Sequence, residues 1–188
     1  MGCIYSYLFP TNYKIIMFGL DASGKTSIIR YLKNKIGDNS DIPHFPYFSP
    51  LFNYKGQLSI IRINIGCCDG PRGARGETRK QMNQAFKNAK GIIFVIDSHD
   101  NDRLDEDFMD DFNYILCHED LKNLPVLIMA NKQDLDSALS VEDIIKKIEF
   151  EKFKYKNWLA LGTSIITGEG IEEGLDWMIS ILNKSNIK

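Results

Sequence analysis

The sequence predicts an α/β fold, a mostly parallel six-stranded sheet flanked by helices. Short apolar runs alternate with amphipathic stretches along the 188 residues, as they do where strands and helices take turns. The runs Gly91–Asp97 and Pro125–Ala130 are apolar without alternation, as strands buried on both faces are. A chain of this length holds one domain with a sizeable core.

Tyr13–Gly19 is the first strand. Ser23–Lys35 reads as a helix with Ile28, Ile29 and Leu32 on one side, stopped near Gly37, a C-cap residue. Asp38–Pro50 holds three prolines and reads as a loop. Leu51–Tyr54 and Leu58–Ile65 are strands joined by Lys55-Gly56, whose glycine fits an antiparallel hairpin turn. Gly66–Glu77, rich in glycine and proline, is a loop before a helix at Thr78–Ala89. Arg72, Arg75, Arg79 and Lys80 read as solvated charge there. After the strand Gly91–Asp97, Leu104, Phe108, Phe112 and Ile115 recur at helical spacing through about Leu116, behind an acidic start that suits a helix N-terminus. The strand Pro125–Ala130, helix Val141–Ile148, strand Trp158–Ser164 and helix Ile171–Leu182 complete the set. His99 and His118 fall in loops beside acidic residues and read as solvated.

With 44% hydrophobic and 26% charged residues, the chain is neither disordered nor collagen-like. Lys+Arg 23 against Asp+Glu 25 leaves a net charge of −2, so nucleic acid is not an expected partner. No apolar stretch approaches the ~20 residues that cross a bilayer. Cys3, Cys67, Cys68 and Cys117 show no paired spacing and follow no secretory leader, which predicts reduced thiols in the cytoplasm. Cys67 and Cys68 with His44 lack a fourth zinc ligand and read as plain thiols.

Gly19-Leu20-Asp21-Ala22-Ser23-Gly24-Lys25-Thr26 fits the phosphate-loop pattern G-x-x-x-x-G-K-[ST], placed between a strand and a helix as the chemistry requires. Asp21, Ala22, Ser23, Gly24, Lys25, Thr26 and Ser27 are candidate phosphate-binding positions. Backbone N–H groups turn inward on phosphate oxygens, Lys25 offsets charge on the β and γ phosphates, and the Thr26 hydroxyl is a candidate Mg²⁺ ligand. Such a loop serves kinases, ATPases and GTPases alike, and Asn131-Lys132-Gln133-Asp134 decides among them. This segment follows a strand, at the sheet edge where ligands bind in open α/β folds. Asp134 can accept from the N1–H and exocyclic amine of guanine, whereas adenine has no N1–H to offer. Asn131 can bond the base and brace the phosphate loop, and the stem of Lys132 can cover the ring. Ser164 and Ile165, after the last strand, can bring a backbone N–H to the guanine oxygen. A small-molecule kinase leaves Asn131 and Asp134 unexplained.

These motifs and their spacing resemble the ADP-ribosylation factor branch of the Ras-like small GTPases. Gly19-Leu20-Asp21-Ala22, Val95-Ile96-Asp97-Ser98, Gly168-Glu169-Gly170 and Gly174-Leu175-Asp176-Trp177 extend the likeness over nearly the whole chain. The resemblance implies a P-loop NTPase fold of the Ras-like type over residues 13–188, GTP/GDP and Mg²⁺ as ligands, protein effectors and regulators, a monomer, and a role in vesicle or membrane traffic. Residues 1–12 read as a lipidated segment. Met1-Gly2-Cys3-Ile4-Tyr5-Ser6 fits the myristoylation pattern M-G-x-x-x-[ST], with Gly2 as acceptor and Cys3 as a palmitoylation candidate. Two acyl chains anchor stably where one does not. The expected place is the cytosolic face of a membrane: Golgi, other endomembrane or plasma membrane.

The likeness breaks at the switch loops. Alignment through Pro43 and Tyr54 puts His44 where the family carries a Mg²⁺-binding Thr. Asn64 replaces the carboxylate that holds the Mg²⁺ water shell, Cys67 a glycine near the γ-phosphate, and Cys68 the glutamine that orients attacking water. Tyr47 keeps one effector-binding aromatic, while Ile63 and Ala85 stand at two others. No residue is assigned as catalytic, and weak or absent intrinsic hydrolysis is expected. Two readings follow: a GTP/GDP switch assisted by an activating protein, and a non-cycling adaptor that holds nucleotide structurally and recruits partners to a membrane.

Overall fold

The computed structural model describes residues 12–42, 52–65, 79–80, 82–104 and 106–185. Strand β1 (Tyr13–Gly19) lies inside a six-stranded sheet of order β2-β3-β1-β4-β5-β6. The other strands are β2 (Phe52–Tyr54), β3 (Leu58–Asn64), β4 (Gly91–Asp97), β5 (Val126–Asn131) and β6 (Trp158–Thr163). β1 pairs parallel with β3 on one side and β4 on the other, while β2 and β3 pair antiparallel. Lys55 and Gly56 both take positive φ, 52° and 69°, and the Gln57 N–H donates to the Tyr54 carbonyl at 3.0 Å, so the hairpin closes as a tight primed turn.

Strand alternation sends side chains to two cores. Ile15, Met17, Leu58, Ile60, Val95 and Met129 pack with helices α1 (Lys25–Lys35) and α4 (Ile171–Ser185) on one face. On the other, Ile16, Phe18, Ile63, Phe94 and Ile128 meet helices α2 (Glu106–Cys117) and α3 (Val141–Lys147) and the helical stretch at 79–80 and 82–86. Phe112 is fully buried there, its ring 4.6 Å from Phe94 and 5.8 Å from Phe153.

Most expected elements are present, shifted at their ends. α1 begins at Lys25 rather than Ser23, because Ala22 and Gly24 take left-handed φ of 59° and 104°. It stops as expected around Gly37: the N–H groups of Gly37 and Asp38 donate to the carbonyls of Asn34 and Lys33 at 3.1 and 2.9 Å, closing the last turn. Two 3₁₀ turns, Glu119–Leu121 and Phe150–Phe153, have no counterpart in the sequence reading, being too short for a periodic signal. His118, expected in solvent, lays its ring 4.8 Å from that of Phe86 while its Nδ1 accepts the Asp120 N–H. Among the described residues no helix is long and apolar enough to cross a membrane.

Truncating Phe112 leaves a void its ring neighbours cannot close. Phe112→Ala is expected to lower unfolding free energy by about 3–5 kcal/mol, read by urea denaturation followed by circular dichroism.

Candidate functional site

β1 lies between β3 and β4, and its C-terminal end opens where strand order reverses direction, the place where open α/β sheets bind ligands. The phosphate loop leaves Gly19 there and enters α1. Gly24 supplies no side-chain cap, so the first-turn N–H groups of α1 face the loop with the positive end of the helix dipole. Lys25 is only 4% exposed. Its ammonium donates to the carbonyls of Gly19 and Leu20 at 2.9 and 2.5 Å and to Ser23 Oγ at 3.3 Å, holding the cation at the loop.

The second half of the site comes from the ends of β4, β5 and β6. Asn131 closes β5 fully buried; its Nδ2 donates to the Ser23 carbonyl at 2.8 Å and its Oδ1 accepts from Thr163 Oγ1 at 3.3 Å. A Cβ on Gly24 would lie 2.1 Å from Asn131 Nδ2, so this approach needs glycine as well as the left-handed φ. Ser164, buried after β6, donates its hydroxyl to Asp134 Oδ1 at 2.5 Å and accepts the N–H groups of Ile166 and Thr167. Asp134 itself is exposed, its carboxylate aimed by a buried hydroxyl and open to a ligand. Ile165 reaches within 3.2 Å of a Cβ position on Gly24, placing it against the phosphate loop. The positions expected to bind phosphate and base therefore share one edge of the sheet.

Four contributors were not picked out from the sequence. The buried Asp97 carboxylate takes the Lys132 ammonium at 2.5 Å, with Lys132 at φ 68°. Gln133 Nε2 donates to Ser98 Oγ and the Leu139 carbonyl at 2.8 and 2.9 Å, bracing the turn that carries Asp134. Arg103 pairs with Asp100, whose carboxyl it holds below the usual range, and reaches the Asp21 carbonyl at 3.2 Å. The fourth is Arg62, in the middle of β3 and only 5% exposed. Its Nη1 donates to the Thr26 hydroxyl oxygen. The sequence did carry a signal for it, a lone charge in the run Ile60-Ile61-Arg62-Ile63.

That contact bears on the metal expected at Thr26. The oxygen that would ligate Mg²⁺ accepts from a guanidinium that stays protonated at any ordinary pH. Among the described residues no group of three or more His, Cys, Asp and Glu is arranged to hold a metal ion on such side chains alone. Thr26 Oγ1 keeps a second lone pair beside the Arg62 contact, and with nucleotide phosphates and water as further ligands it would suit Mg²⁺. Gly2, Cys3, His44, Tyr47, Cys67 and Cys68 lie outside the described residues. Ile63 and Ala85 are buried at 2% and 4%, inside the core rather than on an effector surface.

A family model described as the ADP-ribosylation factor family matches residues 3–182. Among solved structures, the chain is similar to the Arl6 (BBS3) small GTPase from Trypanosoma brucei, solved with the nucleotide analogue GppNp bound. The TM-score is 0.71 at 24% identity, covering 93% of this chain and 99% of that one. This second likeness is one of fold.

Asn131→Ala strands the buried Ser23 carbonyl and Thr163 hydroxyl. It is expected to lower the stability of the nucleotide-free protein by about 1–3 kcal/mol, measured as a fall in denaturation midpoint.

Proposed function

The chain belongs to the ADP-ribosylation factor family of small GTPases, and from that premise we propose that it is an acyl-anchored, guanine-nucleotide-binding regulator of membrane traffic whose own hydrolytic activity is impaired. The observation that carries the guanine reading is the exposed Asp134 carboxylate, oriented by Ser164 and adjoining a turn whose Asn131 is bonded to the phosphate loop. Two acceptor oxygens at that edge match the N1–H and amine of guanine. Adenine lacks the N1–H and would leave a charged acceptor poorly paired, which costs more than a neutral mismatch.

Cys68 supports the hydrolysis part of the proposal. Its thiol stands where the family places the glutamine that orients attacking water, in a class whose intact sites turn over at only about 10⁻⁴ s⁻¹ unaided. His44 and Asn64 also replace groups that the family uses to sense or hold the γ-phosphate end. These substitutions favour the non-cycling adaptor within the same family: nucleotide is held and the protein surface is presented, with little conversion of GTP to GDP. Gly2 and Cys3 supply the acyl positions for attachment to the cytosolic face of a membrane. Mg²⁺ accompanies the nucleotide in this proposal, with the Thr26 hydroxyl as its protein ligand.

Two measurements test it. Asp134→Asn removes the carboxylate acceptor and presents an N–H that suits the 2-oxo group of xanthine; GDP affinity is expected to fall by at least about a hundredfold while xanthine nucleotide gains, read by competition binding. Equal competition by ATP and GTP in the unsubstituted protein would remove the guanine assignment. In single-turnover assays, loaded GTP is expected to remain unconverted over hours; conversion on a minute scale would mean that another group positions water.

A further inference from the structure

Resting on the membrane attachment proposed above, we propose that the end of the sheet opposite the nucleotide site is a docking surface for anionic phospholipid, so that the protein lies on the bilayer with its nucleotide edge turned away from it. The parallel strands β1, β4, β5 and β6 all start at this end. Extended by one or two residues, the pairings Ile15–Gly91, Ile92–Val126 and Val126–Trp158 bring Lys14, Lys90, Leu124 and Lys156 into one row, with lysine at three of its four places. Backbone bonds follow the same row: the Lys90 N–H donates to the Lys14 carbonyl at 2.8 Å and the Val126 N–H to the Asn157 carbonyl at 3.0 Å. With strands about 4.8 Å apart, the row is about 14 Å long. Asn12 runs directly into β1, so the segment that bears Gly2 and Cys3 joins the fold at this end.

The approach to β6 presents the most charge. Residues 146–158 hold five lysines against two glutamates, in a chain of net charge −2, and in Lys152-Phe153-Lys154-Tyr155-Lys156-Asn157-Trp158 lysines and aromatics alternate. Left-handed φ at Glu149 and Lys154, 47° and 53°, bends the chain on both sides of the 3₁₀ turn Phe150–Phe153. The rings gather inward: Phe150, only 1% exposed, stacks on Tyr155 at 5.9 Å and meets Phe153 at 6.2 Å, and the Tyr155 hydroxyl donates to the Leu116 carbonyl at 2.9 Å. The lysines between them are left outside. Lys152 pairs with Glu149 at 2.9 Å, whereas Lys90, Lys154 and Lys156 are exposed and in no ion pair among the described residues. Glu119, Asp120 and Glu151 oppose this charge and are outnumbered by Lys90, Lys122, Lys154 and Lys156. Trp158, on the edge strand and 37% exposed, sets its ring 5.1 Å from Phe150 and offers the rest to its surroundings. An indole so placed suits the water–lipid interface, and flexible lysines suit a diffuse anionic surface, where bidentate recognition of single phosphates calls for arginine. Phe150, Phe153 and Tyr155 occupy one another rather than forming a platform for nucleic-acid bases.

The experiment sediments the full myristoylated chain with vesicles of phosphatidylcholine alone and of phosphatidylcholine with about a third phosphatidylserine, at about 0.1 M salt. Partition onto the phosphatidylserine vesicles is expected to be at least about tenfold stronger and to lose that advantage at about 1 M salt. Equal partition onto both overturns the inference. A triple variant, Lys90→Gln with Lys154→Gln and Lys156→Gln, checked for folding by circular dichroism, is expected to lose at least about tenfold on phosphatidylserine and to keep its partition onto phosphatidylcholine. An unchanged preference overturns the inference; should the variant fail to fold, the lipid and salt comparison on the unsubstituted chain decides alone. Binding to phosphatidylcholine with no gain from phosphatidylserine sinks this inference and leaves the acyl anchor standing. A chain that takes up no myristate sinks the acyl reading instead, and the phosphatidylserine preference is then read on the unacylated chain. Capture of single-stranded RNA without partition onto phosphatidylserine would give the lysines to nucleic acid and overturn the inference.

Discussion

The Asn131 amide bonded to the Ser23 carbonyl is the contact on which the site depends. β1 and β5 are not neighbours; β4 lies between them, so their loops meet only beyond the strand ends. A buried carboxamide can make that crossing because it donates to the phosphate loop and accepts from Thr163 at once, leaving neither partner stranded. The close approach in turn demands Gly24. The positions proposed to recognise phosphate and base are therefore fixed relative to each other by a protein contact, and such preorganisation lowers the ordering cost of binding.

Charge is arranged around that crossing with similar economy. Lys132 is tied to Asp97 and Arg103 to Asp100, both on the segment ending β4. Lys25 and Arg62 also reach oxygens of the phosphate loop and of Thr26. Two of the buried cations, Lys25 and Arg62, therefore lie at the phosphate end, and the Asp134 carboxylate lies at the base end. This polarity matches a nucleotide, anionic at one end and rich in N–H donors at the other.

Much of this was legible in the sequence because its signals are local. The unbroken apolar runs of β4 and β5 identify central strands, Leu104 through Ile115 identify a buried helical face, and the phosphate loop and Asn131–Asp134 are contiguous. The parts that were not legible depend on distant partners. Whether an arginine in a strand is a surface charge or a buried ligand-facing group depends on Thr26, 36 residues away, and Lys132 finds Asp97 across a separation of 35. Ser23 and Gly24 were read as helical because helix propensity does not register the left-handed turn that the close approach of Asn131 requires. The same limit applies to the short 3₁₀ turns, which span less than the period that would reveal them.

The division within the chain is between candidate binding positions that the structure brings to one edge of the sheet and a switch half whose sequence departs from the family. Binding without cycling is the proposal that this division supports, and guanine nucleotide held at the Asn131–Ser23 crossing is the claim beneath it. Chromatography of whatever nucleotide the purified chain releases on denaturation tests that claim most directly. The account predicts stoichiometric guanine nucleotide. Release of adenine nucleotide, or a chain that carries none and gains none when GDP is offered, would contradict it.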